Sequence, residues 1–167
     1  YGARNHVDTR GAVEILDEII EEACVQVPGR LIIPTFSVGR TQALLFTLNK
    51  LFIENNKKTI KIFTDSPLAK ATTKVYEKYI RLLNKEARDF HEENELLFDF
   101  DNLYFLQSNE ASRAVSDHNE PCIIISSSGM IQGGRIEHHI EKNIGNPYAT
   151  ILMIGYASEG TLGYQLL

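Results

Sequence analysis

The sequence predicts an α/β fold of three layers, a mostly parallel sheet of about five strands with helices on both faces. Two observations carry that prediction. Four short apolar runs end abruptly in small, polar or glycine-rich turns, at residues 31–40, 60–67, 121–135 and 150–161, and each turn leads into a segment of helical character. Strand-like and helix-like segments alternate along the whole chain, which is the rhythm of a parallel sheet with helical crossovers. Parallel strands all point the same way, so turns of this kind gather along one edge, where ligands of such sheets bind. Backbone N–H groups and helix N-termini exposed there favour anions such as phosphate.

The elements follow in order. From about Arg10 to Val27, the residues Val13, Leu16, Ile20, Ala23 and Val27 recur at helical spacing, opposite an acidic face of Glu14, Asp17, Glu18, Glu21 and Glu22. That is an amphipathic surface helix whose acidic side is solvated. Pro28-Gly29 ends it before a strand at Leu31-Ile32-Ile33. A second helix after Gly39 carries a broad stripe of Ala43, Leu44, Leu45, Leu48, Leu51 and Phe52, and residues 55–58 end it. The second strand is read at residues 60–64. Asp65-Ser66-Pro67 is explained completely by helix capping, with Ser66 as acceptor and Pro67 suited to the first turn, a functional role for Asp65 being the alternative. A long helix is expected to about Lys85, with Val75, Tyr79, Leu82 and Leu83 as its apolar positions. Residues 86–102 have no clean period. A short strand follows at 103–106, a short helix at 109–117 with Ser108 as its cap, and strand, glycine turn and helix recur at 121–144 and again from 150.

Bulk properties narrow the function. A chain of 167 residues fits one domain with a real core, and 43% apolar with 23% charged residues is ordinary for a globular protein. A net charge of −5 excludes a generally basic nucleic-acid binder, though not a local site. Cys24 and Cys122 read as buried free thiols, with no CxxC pair. No signal-peptide pattern or membrane-spanning apolar run occurs, so a cytoplasmic setting without membrane contact is expected. The chain starts at Tyr1 without an initiator methionine and stops at Leu167 in what reads as the start of a helix. It is therefore expected to be a segment of a longer protein.

The sharpest constellation is Ser126-Ser-Ser-Gly-Met-Ile-Gln-Gly-Gly-Arg135. Its glycines permit positive φ and close approach of a ligand, its hydroxyls can hold a phosphate, and Arg135 adds a planar donor fork. A tight strand-to-helix turn without a ligand is the alternative. Phe36-Ser37-Val38-Gly39-Arg40 repeats the logic at the first strand. Arg40 opposes the helix dipole there, which points to a site, with an ordinary surface arginine as the alternative. The five histidines include no HxH or HExxH spacing, and there is no GxSxG elbow, so the chain carries no complete catalytic apparatus of its own.

Tyr1-Gly2 with His6, Pro34-Thr-Phe-Ser-Val-Gly-Arg-Thr-Gln42, Asp65-Ser-Pro67, Ser127-Ser-Gly-Met-Ile-Gln-Gly-Gly-Arg-Ile-Glu-His-His-Ile140 and Gly155-Tyr-Ala-Ser-Glu-Gly-Thr-Leu-Gly163 stand in a fixed order. Together they resemble the β-CASP domain of metallo-β-lactamase-fold nucleases, and most closely the RNA-processing branch that includes the mRNA 3′-end-processing endonuclease. The resemblance covers residues 1–167. It implies a domain that caps a metallo-β-lactamase domain of the same parent chain, with single-stranded RNA in the cleft between them. Two zinc ions in the parent would serve phosphodiester hydrolysis, endo- or exonucleolytic, while this segment holds no metal and no catalytic residue. The resemblance makes Ser37, Gly39, Arg40, Ser127, Ser128, Gly129, Met130, Arg135 and His139 candidates for holding RNA. It leaves open an RNA-holding or scaffold subunit with a degenerate metal site, and a homodimer. Read without the resemblance, the residues also allow a doubly wound domain that binds a mononucleotide.

Overall fold

A computed structural model describes residues 11–55 and 60–167. Its sheet contains β1 (Arg30–Pro34), β2 (Lys61–Asp65), β3 (Leu103–Phe105), β4 (Cys122–Ser126) and β5 (Ala149–Ile151), all parallel, in the spatial order β3-β2-β4-β1-β5. The helices are α1 (Ala12–Ile20), α2 (Arg40–Glu54), α3 (Pro67–Lys78), α4 (Lys85–Asn94), α5 (Asn109–Ser116), α6 (Ile136–Asn143) and α7 (Leu162–Gln165). The three-layer α/β architecture is the one the alternation predicts.

The central strands are apolar on both sides because both sides are covered. Leu31, Ile33, Ile62, Ile123 and Ile125 face one layer, packed against Leu16 and Ile20 of α1 and Leu44, Leu45 and Leu48 of α2. Ile32, Phe63, Cys122 and Ile124 face the other, against Val115 of α5 and Ile136 and Ile140 of α6. In β4 every side chain is buried. Ile124 sits in register between Ile32 of β1 and Phe63 of β2, at the centre of the second core. Cys24 and Cys122 are buried free thiols, and burial pushes them up to about 12 and about 11, so neither carries appreciable thiolate at neutral pH. Among the described residues no helix is long and apolar enough to cross a membrane.

Three segments differ from the periodicity. The first helix does not run as one α-helix to Val27; after Ile20 it continues as a π-helical turn, Glu21–Gln26. The wider turn rotates Ala23 and Cys24 into the core and leaves Val25 and Val27 exposed. The long helix expected to Lys85 ends at Lys78, followed by a 3₁₀ turn, Ile80–Leu82. It buries Ala69 and Thr73, with Tyr76 and Ile80 against the core, so Val75, Tyr79 and Leu82 point to solvent. Small residues lie on the buried face because α3 packs close to α2, and the larger apolar ones were the misleading signal. Residues 86–102 contain α4, capped by Asn84 accepting from Ala87 N–H, then Leu97 and Phe98 as core plugs. The Asn49 amide donates to Leu96 and Leu97 carbonyls at 2.9 and 3.1 Å and holds that irregular stretch down. Tyr1, Gly2, His6 and Arg10, and the 56–58 stop signal after α2, lie outside the described residues.

Ile124→Ala is expected to cost about 2–4 kcal/mol, since it removes buried atoms between two fixed neighbours. Leu82→Ala, at a residue 74% exposed, is expected to stay within about 0.5 kcal/mol of wild type. Urea midpoints of the two variants check both.

Candidate functional site

The connections create a crevice. β1 leads into α2 and β2 into α3, both on the first layer, whereas β4 leads through its glycine turn to α6 on the second. β4 lies between β1 and β2, so neighbouring strands send their chains to opposite faces and part at their carboxyl ends. Hydroxyls collect in that opening. Ser37 Oγ is 2.9 Å from Ser66 Oγ and 2.6 Å from Ser127 Oγ, which joins the ends of β1, β2 and β4. Behind them Thr35 N–H donates to the Ser126 carbonyl at 2.9 Å, and Ser126 Oγ donates to the Asp65 carbonyl at 3.1 Å.

Beneath the hydroxyls lies a buried carboxylate. Asp65 ends β2, and its side chain has no exposed surface. Its Oδ1 accepts from Arg135 Nη1 at 2.7 Å; its Oδ2 accepts from Ser112 Oγ and meets His139 Nε2 at 2.7 Å. Arg135 also donates to the carbonyls of Leu106 at 3.3 Å and Gln107 at 2.9 Å. His139 Nδ1 lies 3.3 Å from Ser116 Oγ. One side chain thus ties β2 to α5, α6 and the segment after β3. Burial pushes the Asp65 carboxyl up, but hydrogen bonds from His139, Ser112 and Arg135 outweigh it and hold the group below its ordinary value. An ionised Asp65 accepts, so the network requires a proton on His139 Nε2.

The glycine turn locks onto itself above this hub. Gly134 has φ +81°, and a Cβ there would lie 2.4 Å from the Ser127 carbonyl oxygen, so only glycine fits. Ser127 O accepts from Ile136 N–H at 3.1 Å, and Ser128 Oγ bonds both Gln132 O at 2.8 Å and Gln132 N–H at 3.0 Å. Gly129 packs under the Phe36 ring, and Met130 O accepts from Gly163 N–H at 2.9 Å.

The nine residues expected to hold a ligand therefore divide. Ser37, Gly39, Arg40, Ser127, Ser128, Gly129 and Met130 line the carboxyl edge on the turns after β1 and β4. Gly39, at φ +81°, is the N-cap of α2, and its N–H donates to Gln42 Oε1 at 2.7 Å. Arg40 is exposed; its Nη1 donates to the Ile154 carbonyl at 2.8 Å, bridging the first and last turns, and its other donors have no partner among the described residues. Arg135 and His139 are placed differently from the sequence-based expectation. His139 has no exposed side-chain surface, and the Arg135 fork is spent on Asp65 and two carbonyls, so both hold the turn from below. Asp65 is corrected as well: Ser66 caps α3, accepting from Ala69 N–H at 3.1 Å, while Asp65 turns the opposite way into the hub. Ser112 and Ser116 were not singled out; polar residues on the inward face of an amphipathic α5 were the available signal. Asp65 and His139 are two donors with an arginine already on the carboxylate, which does not fit a zinc centre, and no group of three such residues occurs among the described residues.

Asp65→Asn is expected to destabilise the fold by about 3–5 kcal/mol, because it removes the buried charge on which Ser112, His139 and the half-buried Arg135 converge. Because the Asp65 value is depressed on folding, its contribution is complete above the ordinary value of 3.8 and fades as pH falls through the depressed one. Wild-type stability should therefore drop below about pH 4, and the variant should lack that part of the acid limb. Urea melts between pH 2 and 7 compare them.

Comparison with known proteins agrees with this geometry. The Beta-Casp domain family matches residues 41–166, most of the chain, including the turns after β2, β4 and β5. "Ribonuclease TTHA0252" of Thermus thermophilus is 30% identical over 100% of this chain and 38% of its own length. An "RNase J-like protein" of Methanocaldococcus jannaschii is 33% identical over 94% of the chain and 34% of its own. "Cleavage and polyadenylation specificity factor 73" of Drosophila melanogaster is 31% identical over 100% of the chain and 24% of its own. The chain thus spans less than two fifths of the length of these relatives. With its motifs in order, its sheet parallel and its turns on one edge, the chain belongs to the Beta-Casp domain family.

Proposed function

We propose that this domain is the substrate-holding part of a ribonuclease that hydrolyses single-stranded RNA, the cleaving centre being supplied by a metallo-β-lactamase domain of the same protein. The observation that carries the reading is the carboxyl-edge crevice, where a self-locked turn presents hydroxyls and backbone between Ser37 and Ser127 with Arg40 at its rim. Small neutral donors and one exposed arginine can fix a phosphate without reading a base, so the site sets register rather than sequence. Relatives named as ribonucleases support RNA as the strand.

The proposed two zinc ions belong to that other domain, no group of donors that fits them occurring among the described residues. They would supply an activated water and stabilise the leaving oxygen. The part played by residues 11–167 is to bind, orient and exclude water. On this reading the segment alone does not cut RNA.

Arg40→Ala in the full-length protein is expected to fold normally, to weaken binding of single-stranded RNA and to lower the salt slope by about one unit. Arg135→Ala should instead lower the melting temperature, since it unpairs the buried Asp65. RNA anisotropy across a salt series, beside thermal melts and zinc analysis of both variants, separates the two roles. Equal RNA affinity and cleavage in Arg40→Ala and wild type would count against the carboxyl edge as the substrate site. A full-length protein that holds RNA but neither binds zinc nor cuts would be a non-catalytic subunit.

A further inference from the structure

The outward face of α3 differs from the rest of an acidic surface. The chain carries a net charge of −5, and several exposed lysines elsewhere are neutralised in pairs: Lys50 with Glu86, Lys61 with Glu120 and Lys85 with Asp89. Lys70, Lys74, Lys78 and Arg81 have no salt-bridge partner among the described residues. Their i, i+4 spacing places Lys70, Lys74 and Lys78 in one column of α3, climbing about 6 Å per four residues, and Arg81 follows in the 3₁₀ turn beyond the helix end. The column stands off the face that buries Ala69 and Thr73. Beside it runs a strip of Val75, Tyr79 and Leu82, exposed by 53%, 41% and 74%. Lys78 Nζ sits 5.5 Å from the centre of the Tyr79 ring, so charge and apolar strip touch.

α3 stacks Lys70, Lys74 and Lys78, Arg81 follows in the 3₁₀ turn, and Glu77 beside Lys74 offsets part of that charge; the positive excess that remains is relieved by an anionic partner. The position of the helix favours one partner. α3 begins at Ser66, whose hydroxyl both caps it and joins the Ser37–Ser127 cluster of the carboxyl edge. Its column therefore starts at the proposed RNA site and leads away from it over about 18 Å of helix. Cations repeating along a strand path, with an aromatic and apolar strip beside them, is how single strands are held without sequence preference. An acidic protein helix would share the charge but gives no reason for the column to begin at the hydroxyl cluster.

We propose that the outward face of α3 is a track for single-stranded RNA continuous with the carboxyl-edge crevice. Lys70, Lys74, Lys78 and Arg81 take successive phosphates, and Val75, Tyr79 and Leu82 offer bases an apolar platform. This rests on the reading of the crevice as an RNA site and extends it to strands too long for the crevice alone.

The test uses the full-length protein and two oligouridylates, of roughly 5 and roughly 20 nucleotides, in anisotropy titrations over a salt series. The combined variant K70A/K74A/K78A/R81A is expected to lose about tenfold or more in affinity for the long strand, with a salt slope lower by about 2–3 units. Its loss on the short strand should stay below about twofold, because that strand fits within the crevice. Replacing the three lysines by arginine should keep the long-strand affinity, and unchanged melting curves should show that all variants fold. An equal loss on both lengths, or no loss, overturns the track. If wild type binds the short strand and the long one gains nothing, the track fails while the crevice reading stands; if neither binds, both fail. Unchanged RNA binding together with capture of an acidic helical peptide, abolished by Leu82→Ser, would assign the face to a protein instead.

Discussion

A carboxylate with no exposed surface at the end of a central strand sets the terms for the rest of this domain. Asp65 stays ionised inside the protein only because three donors converge on it, from α5, from the start of α6 and from within α6. Removing any one leaves a buried charge under-paired, which costs more than an ordinary surface pair contributes. The requirement runs in both directions. His139 can be fully buried and Arg135 half-buried because Asp65 is there, and the glycine turn between Ser127 and Gly134 is pinned to the sheet because Arg135 follows it.

On the proposed reading, the pinned turn is what lets an acidic domain offer an anion-binding edge. Its own polar groups are satisfied internally: Ser128 by Gln132, Gly133 N–H by Glu137, Ser127 by Ser37. The surface it presents is therefore rigid rather than charged, and a strand laid against it pays little ordering cost in the protein. Charge is added at the rim by Arg40 and, along the proposed track, by α3. Arg40 spends one donor on the Ile154 carbonyl, and the cations of the proposed track form no ion pair among the described residues.

Much of this was legible in the residues. Consecutive apolar positions in 122–125, glycine turns after strands and the Ser108 cap each reflect a local rule obeyed, and α2, α5, β1 and β4 fall where those rules put them. The crevice was readable because turns after parallel strands have one edge to occupy. What resisted reading depended on packing partners distant in sequence. Val75, Tyr79 and Leu82 have the spacing of a core stripe, yet α3 turns Ala69, Thr73 and Tyr76 inward and leaves those three outside. The π-helical turn at 21–26 shifts the register by which Cys24 replaces Val27 in the core, and no local residue announces it. Arg135 and His139 look like ligand-binding groups in a string of serines and glycines; only the fold shows that Asp65, 70 residues from Arg135 and 74 from His139, already holds them.

The central claim is that RNA lies across the carboxyl edge of the sheet, on the turns that Asp65 holds in place. Photo-crosslinking of full-length protein to 4-thiouridine-containing single-stranded RNA, with the modified residues mapped by mass spectrometry, tests it most directly. The account predicts crosslinks on the exposed rim of the turns after β1 and β4, at Phe36, Val38 and Met130. Crosslinks confined to the opposite end of the strands, around Asn119, Asn146 and Tyr148, would contradict it.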